Sequence, residues 1–206
     1  MSNVSSSIGF IRTPSRRVLA WGSVVLLVLF CVGMGLAFRS RGAPDPRLTF
    51  PRIHGAGGVL PVDASAEMPS LSAVHRVLLD IDDVGPSRGG VNARLYTAAK
   101  ILNLYAAAGV PVDKVKMVIL FYGKGVNLIL SDTAYREKFH RQNPNAQLLA
   151  QLRRADVRMV ACGQALGHQG FTLSDVHPGV KFALSALTER EEFQAAGYGS
   201  VPQEPR

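Results

Sequence analysis

Continuous apolar runs and stretches with helical spacing alternate along residues 74–201 of the chain. Short runs that are apolar throughout are typical of parallel strands buried on both faces of a sheet. They predict strands over residues 76–81, 115–122, 157–162 and 180–185, with a short edge strand over 198–201. Each run is bounded by glycine, proline or acidic residues, which favour turns.

The stretches between these runs predict helices. The first covers Ala93–Ala108, with Asn92 as its N-cap and Gly109 as its stop. Further helical regions are predicted over 133–140, 146–154 (with Asn145 as N-cap) and 187–196, with a short helical turn within 163–175. The alternation of strands and helices predicts an α/β fold of three layers, with helices on both faces of a mostly parallel sheet of four to five strands.

A longer apolar run lies ahead of this domain. Val18–Phe38 holds 21 residues without a charge, enough to cross a hydrocarbon core of about 30 Å as a helix. Basic residues on its amino side predict a single-pass anchor in a bacterial inner membrane, with the C-terminal domain in the periplasm. The alternative is a signal peptide cleaved after Gly35-Leu36-Ala37, which would release the domain into the periplasm.

The composition divides the chain into five parts. A basic segment (residues 1–17) precedes the apolar segment (18–38), and a linker rich in Pro and Gly follows at 39–72. The α/β domain then covers 73–201 and a short tail 202–206. We expect the linker to be extended, with little packed structure of its own, although Pro51-Arg52-Ile53-His54 could pack on the domain surface.

The net charge of +8 is distributed unevenly. Five of the 23 Lys and Arg residues lie in the first 42 positions, where none of the 15 acidic residues is found. Most of the excess therefore flanks the apolar segment and concerns membrane topology. The remainder of the chain is nearly neutral and has no basic stripe with interleaved aromatic residues, so nucleic acid is not a predicted partner.

The two cysteines, Cys31 and Cys162, lie in the apolar segment and in the domain, and they form no disulfide framework or zinc-type spacing. Cys162 ends the predicted strand 157–162, and chemistry in open α/β sheets collects beyond the carboxyl ends of strands. A helix beginning at Gly163 would favour its thiolate, and His168 or Lys124 could add positive charge. The alternative is that Cys162 is simply a small buried hydrophobic residue.

Other kinds of site lack their signatures. The glycine-rich turn over residues 85–90 and the Gly123-Lys124-Gly125 turn match no phosphate-binding pattern. His168, Asp175 and His177 share one loop region without a close ligand pair, and no nucleophile elbow occurs. Asp80, Asp82 and Asp83 could supply acid or base groups but are more often solvated turn residues. The sequence therefore predicts no cofactor and no metal.

A series of short motifs resembles the DsrE/DsrF-like sulfur-relay family, in its exported single-domain branch. The series comprises Asn143-Pro144-Asn145, Val160-Ala161-Cys162-Gly163-Gln164, Ala183-Leu184-Ser185-Ala186 and Gly197-Tyr198. The resemblance covers about residues 74–201. It implies a flavodoxin-like sandwich that assembles as a homo-oligomer, a trimer or hexamer.

The resemblance also implies roles for individual residues. Cys162 would accept sulfane sulfur as a persulfide and exchange it with a donor or acceptor protein, which makes the chain a sulfurtransferase-like carrier. Gly163 and Gln164 would shape the cysteine's pocket, with Asn143 and His168 in neighbouring loops. Tyr122-Gly123 stands where many relatives have a His-Gly pair. The alternative function is a non-catalytic oligomeric binding module in which Cys162 is a buried structural residue.

Overall fold

The computed structural model describes residues 45–85, 87–88 and 90–202. The predicted basic segment 1–17, the apolar segment 18–38 and most of the tail lie outside the described residues. Within the described part of the chain, no helix is both long enough and apolar enough to cross a membrane.

Within the described residues, seven strands form two sheets. In chain order they are β1 (His75–Ile81), β2 (Ser87–Arg88), β3 (Val91–Asn92), β4 (Val115–Phe121), β5 (Arg158–Cys162), β6 (Lys181–Ala183) and β7 (Gly199–Ser200). Five of them form the main sheet in the order β6-β5-β4-β1-β7, and every neighbouring pair in it is parallel. The predicted parallel sheet is confirmed. β2 and β3 form a small antiparallel pair in the predicted turn.

In the part of the chain that the structure describes, five α-helices connect the strands. They are α1 (Ala93–Ala107), α2 (Asp132–Phe139), α3 (Ala146–Arg154), α4 (Gly163–His168) and α5 (Ala186–Ala195). Short 3-10 helices cover Val112–Lys114, Gly123–Ile129 and Leu173–Asp175. The predicted helices over 93–108, 133–140, 146–154 and 187–196 are therefore confirmed to within one residue at each end.

The main sheet separates two apolar clusters. Strand side chains alternate between its faces, so Leu79, Ile119 and Phe121 pack with α1 and α3 on one face. On the other face, Leu78, Val118 and Leu120 pack with Ala186 and Phe193 of α5. β4 is buried on both faces, as its continuous apolar sequence predicts. The result is a three-layer α/β sandwich of the flavodoxin-like kind.

The expectation of a linker with little packed structure over 39–72 is wrong for residues 49–59. Ile53, Ala56 and Val59 are buried, and Ile53 and Ala56 belong to the cluster on the α1 face. Thr49 and Val59 exchange backbone hydrogen bonds of 2.9 and 3.0 Å. Three apolar residues, spaced three apart among glycines and prolines, form no helix or long strand. They give no local signal of this packing, because it depends on contacts with α1.

Glycine at position 57 is what allows this segment to lie against α1. Its φ is +66°, and a Cβ there would overlap the backbone of Ala99 and Lys100. A side chain would therefore be excluded both by backbone conformation and by space.

Asn92 is the N-cap of α1 as predicted, because its Oδ1 accepts from the N–H groups of Arg94 and Leu95 at 3.0 and 3.2 Å. Asn145 precedes α3 but, contrary to the prediction, makes no side-chain capping bond to that helix. Its Oδ1 instead accepts from the N–H of Asn92 at 2.9 Å. The side chain thus joins the start of one helix to the start of another, a long-range pairing that local sequence does not reveal.

Candidate functional site

The carboxyl ends of β4, β5 and β6 meet at one edge of the main sheet. Ala161 pairs with Phe121 of β4, and Cys162 pairs with Ala183 of β6. α4, which follows β5, places Leu166 on the α1 face of the sheet, whereas α5, which follows β6, packs on the opposite face. A crevice is expected where consecutive connections leave for opposite faces, and Cys162 lies at that point.

Cys162 is 5% exposed and its side chain points toward α5, among Val160, Ala183 and Ala186. The backbone N–H of Ala186 donates to its Sγ at 3.3 Å. Ala186 is the first residue of α5, whose N-cap Ser185 accepts from Leu187 N–H at 3.2 Å. The sulfur therefore lies at a helix N-terminus, where negative charge is favoured.

The helix that supplies this N–H is not the predicted one. α4 does begin at Gly163, but the cysteine side chain points to the α5 face because alternate strand residues face opposite sides of the sheet. Gly163 has a different role, since a Cβ at that position would lie 2.9 Å from the carbonyl oxygen of Ala183. It allows β6 to run close to the turn after Cys162.

A cavity of about 330 Å³ opens over the thiol. Five of the predicted site residues line it: Cys162, Tyr122, Gly123, Gln164 and His168. The residues that sequence reasoning missed are Ala165, Gln169, Ser185, Ala186, Leu187 and Arg190. They come from α4 and α5, so the site is assembled from both faces of the sheet.

Asn143 lies apart from this cavity. It is 5% exposed, and its Nδ2 donates to the carbonyl oxygens of Leu128 and Leu130 at 2.9 and 3.1 Å. Its Oδ1 accepts from the N–H of Asn145 at 2.9 Å. Asn143 therefore fixes the end of the segment that follows β4, and it contacts the neighbouring loop rather than the thiol.

Arg190 forms the charged wall of the cavity. Its Nε and Nη2 lie 3.1 and 3.3 Å from the two carboxylate oxygens of Asp80. The guanidinium carbon lies 5.1 Å from the centre of the Tyr122 ring. Asp80, a candidate acid or base in the sequence, is thus the ion-pair partner that holds Arg190 in place.

The environment keeps this cluster in one charge state. Burial raises the pKa of Tyr122, and the negative charges of Asp80 and Asp82 raise it further, while Arg190 opposes the change. The hydrogen bond from Arg190 to Asp80 raises the pKa of Arg190. At neutral pH the cavity therefore presents a neutral phenol beside a fixed positive charge.

The two basic side chains that the sequence suggested near Cys162 lie in different places. His168 is exposed at the rim of the cavity, whereas Lys124, also exposed, does not line it. Among the residues that the structure describes, no group of three or more His, Cys, Asp or Glu is placed to hold a metal. Asp175, from the loop considered for a metal, accepts from the N–H and hydroxyl of Thr172 at 2.8 Å.

One sequence signal could have identified Arg190. Ala186 and Phe193 are buried against the sheet, and Arg190 is four residues after the first and three before the second. Residues at these spacings share a helix face, so the arginine had to point toward the sheet. Its partner on β1 could not have been read from spacing alone.

Two larger cavities lie elsewhere. One of about 770 Å³ is lined by apolar residues of 59–69 and of α1. The other, of about 670 Å³, is lined by Arg52, Gln151 and Arg154 among others. Neither contains a cysteine, and cavity size alone does not identify a site of thiol chemistry.

Comparison with known proteins gives one family and several solved structures. The profile of the family described as "DsrE/DsrF-like family" matches residues 78–201. A similar solved structure is that of MTH1491, a protein of unknown function from Methanobacterium thermoautotrophicum, at 23% sequence identity. The match covers 62% of this chain and 97% of that chain, with a TM-score of 0.49. No curated protein matches the chain significantly.

Proposed function

Because the chain belongs to the DsrE/DsrF-like family, we propose that it is a sulfur-relay protein whose acceptor is Cys162. The thiol accepts a sulfane sulfur, holds it as a persulfide, and passes it to another thiol. The family supports a role in sulfur relay in general. The assignment to Cys162 is supported by the geometry of the cavity.

One observation carries the proposal. The Sγ of Cys162 accepts a hydrogen bond from the first N–H of α5 at 3.3 Å, at the base of a cavity of about 330 Å³. A helix N-terminus favours a thiolate over a thiol, and the thiolate is the nucleophile in sulfur exchange. The same N–H can stabilise the negative charge that a bound persulfide carries.

The exchange requires no further reagent. The Cys162 thiolate attacks the terminal sulfur of a donor persulfide, and the new S–S bond forms as the donor's S–S bond breaks. The donor thiolate leaves with the electron pair. An acceptor thiolate then takes the terminal sulfur by the same step and regenerates the Cys162 thiolate.

The test is persulfide labelling of the full-length chain with an alkyl persulfide whose alkyl group is uncharged, such as the persulfide of N-acetylcysteine methyl ester. We expect Cys31→Ser to retain the added sulfur and Cys162→Ser to lose it. Mass spectrometry of the intact protein, with and without reducing agent, identifies the persulfide. Labelling that persists when Cys162→Ser is made in the Cys31→Ser background would refute the proposal.

A second function remains in competition because Cys162 is only 5% exposed and packs among Val160 and Ala183. This burial favours a non-catalytic binding module in which the thiol is a small apolar residue. The rate of alkylation separates the two functions. A thiol that reacts in the native protein supports sulfur relay, whereas one that reacts only after denaturation supports the binding module.

The proposed location follows from the sequence. An uncleaved helix over Val18–Phe38 would tether the domain at the outer face of a bacterial inner membrane. A protease added to spheroplasts should then digest the domain while sparing cytoplasmic proteins. Protection of the domain in intact spheroplasts would contradict this orientation.

Self-association is proposed through the edge of the sheet at β6. Phe182, Leu184 and Leu187 are 42%, 75% and 71% exposed there, and large apolar groups clustered at an edge strand favour pairing with another chain. The resemblance to oligomeric relatives supports a trimer or hexamer. Sedimentation of the detergent-solubilised chain as a monomer would exclude it.

A further inference from the structure

The cavity over Cys162 has a positive wall. Of the described residues that line it, Arg190 is cationic and none is acidic. Ser185, Tyr122 and Gln164 add hydroxyl and amide groups that can donate hydrogen bonds. Asp80, the partner of Arg190, does not itself line the cavity. The composition of the lining therefore suits a ligand with negative charge.

Arg190 retains donors for such a ligand. A guanidinium carries five N–H donors, and it stays charged at every pH at which proteins fold. Asp80 engages Nε and Nη2 at 3.1 and 3.3 Å, and the guanidinium carbon lies 5.1 Å from the centre of the Tyr122 ring. The side chain of Arg190 is 25% exposed. Arg190 is therefore held in one position by Asp80 and is partly removed from water. Its remaining N–H donors can bind an oxyanion.

Access to the sulfur restricts the size of the ligand. Cys162 is 5% exposed and lies at the base of a cavity near the lower limit for small-molecule sites. A slim anion can bring a terminal sulfur to Sγ while its oxygens remain at the level of the guanidinium.

We infer that Arg190 selects the sulfur donor, and that this donor is a small thiosulfonate anion, of which thiosulfate is the simplest. The inference rests on the proposed persulfide chemistry of Cys162. Arg190 binds the sulfonate oxygens and directs the terminal sulfur to the thiolate. A protein-bound persulfide is the competing class of donor.

The reaction balances without an external oxidant. After its proton passes to solvent, the Cys162 thiolate attacks the terminal sulfur of thiosulfate. The Sγ–S bond forms, the S–S bond of thiosulfate breaks, and sulfite leaves with the bonding electron pair. The cysteine sulfur is oxidised to the persulfide level while the leaving sulfur is reduced to sulfite. Arg190 stabilises the charge that develops on the leaving group.

The experiment compares two donors on the full-length chain carrying Cys31→Ser, so that Cys162 is its single thiol. The donors are thiosulfate and the alkyl persulfide, which lacks sulfonate oxygens and whose alkyl group carries no charge. Sulfite release and protein persulfide are both measured. We expect Arg190→Gln to lower the second-order rate with thiosulfate by about tenfold or more, since it removes charge-assisted hydrogen bonds. The rate with the alkyl persulfide should change by less than about twofold. Arg190→Lys should recover part of the loss.

Arg158 provides a matched control, because it too contacts α5, through Glu189 at 3.3 Å, yet does not line the cavity. Arg158→Gln should leave both rates unchanged. An equal loss with both donors in Arg190→Gln would overturn the inference, because Arg190 would then act on the thiol rather than on the anion.

The two proposals can fail separately. Reaction of the unsubstituted Cys162 with the alkyl persulfide but not with thiosulfate refutes only the anionic donor and favours a protein persulfide. Reaction with neither donor refutes the sulfur-relay function itself. Circular dichroism of each variant establishes that a lost rate is not a lost fold.

Discussion

At the scale of single residues, Asn103 holds the segment ahead of the sheet in place. It is fully buried and lies on α1. Its Oδ1 accepts from the N–H groups of Arg52 and Ile53 at 2.9 and 2.8 Å. Its Nδ2 donates to the carbonyl oxygens of Ile53, Ala56 and Gly57 at 3.0 to 3.1 Å. One side chain therefore bonds to five backbone groups of residues 52–57, with one of the two Nδ2 hydrogens shared between two carbonyl oxygens.

We expect Asn103→Ala to lower the free energy of unfolding by about 2–4 kcal/mol, because it leaves buried backbone groups unpaired. Gln151→Ala is the matched control: this side chain also bonds the same segment, to His54 N–H and C=O at 2.9 and 3.1 Å, but in an exposed position. Gln151→Ala should lower the free energy of unfolding by less than about 1 kcal/mol. Urea unfolding measures the stability of both variants. Equal losses in Asn103→Ala and Gln151→Ala would show that the buried hydrogen bonds of Asn103 contribute no more than the exposed ones of Gln151.

At the scale of helices and strands, the sequence predicted what depends on local pattern. Continuous apolar runs located β1, β4 and β5, and helical spacing located α1 and α3, because burial against one sheet imposes these periods. Asn92 was identified as an N-cap because its bonds are local. The hydrogen bonding of Asn145 was not predicted, because its partner, Asn92, lies at the start of another helix.

The candidate site shows the same division. Tyr122, Gly123 and Cys162 could be grouped in advance, because carboxyl ends of parallel strands meet at one edge of a sheet. Helix spacing could place Arg190 on the side of α5 that faces the sheet, but neither Arg190 nor Ser185 could be assigned to this edge. The reason is that the distance of α5 from Cys162 along the chain does not determine where the helix packs. The ion pair between Arg190 and Asp80 likewise joins residues that lie 110 positions apart in the sequence.

Two ion pairs fasten α5 to the sheet, and they should differ in strength. The side chains of Arg190 and Asp80 are 25% and 16% exposed, whereas those of Arg158 and Glu189 are 55% and 22% exposed. We expect Asp80→Asn to lower the free energy of unfolding by about 1–3 kcal/mol, since it leaves a partly buried cation unpaired. Glu189→Gln should cost less than about 1 kcal/mol, as is typical of an exposed pair.

The same two variants report on the thiol. Because α5 supplies the N–H that contacts Cys162, Asp80→Asn should change the rate of native alkylation of Cys162 by iodoacetamide, and Glu189→Gln should not. Both variants are made in the Cys31→Ser background. Identical stabilities and identical alkylation rates would mean that the Arg190 pair contributes nothing to the placement of α5.

At the scale of the whole molecule, the domain is larger than its regular α/β pattern. Pro46–Arg206 forms one compact unit, whereas the periodic pattern of the sequence begins only near residue 73. The difference arises because the segment over 49–59 contributes to the core through a few buried side chains and one asparagine, without forming a helix or a long strand. Composition rich in Pro and Gly indicated a linker, and the contacts that make it part of the fold are all long-range.

This difference can be measured with two fragments, one starting at Pro46 and one at Ala73. We expect the longer fragment to unfold cooperatively and the shorter one to lose several kcal/mol, because removal of Ile53, Ala56 and Val59 exposes apolar surface of α1 and removes the hydrogen bonds of Asn103. Thermal unfolding gives the stabilities, and binding of a hydrophobic dye reports the exposed face of α1. In the longer fragment, Asn103→Ala should reproduce part of the loss. Equal stability of the two fragments would restore the interpretation of residues 46–72 as a linker.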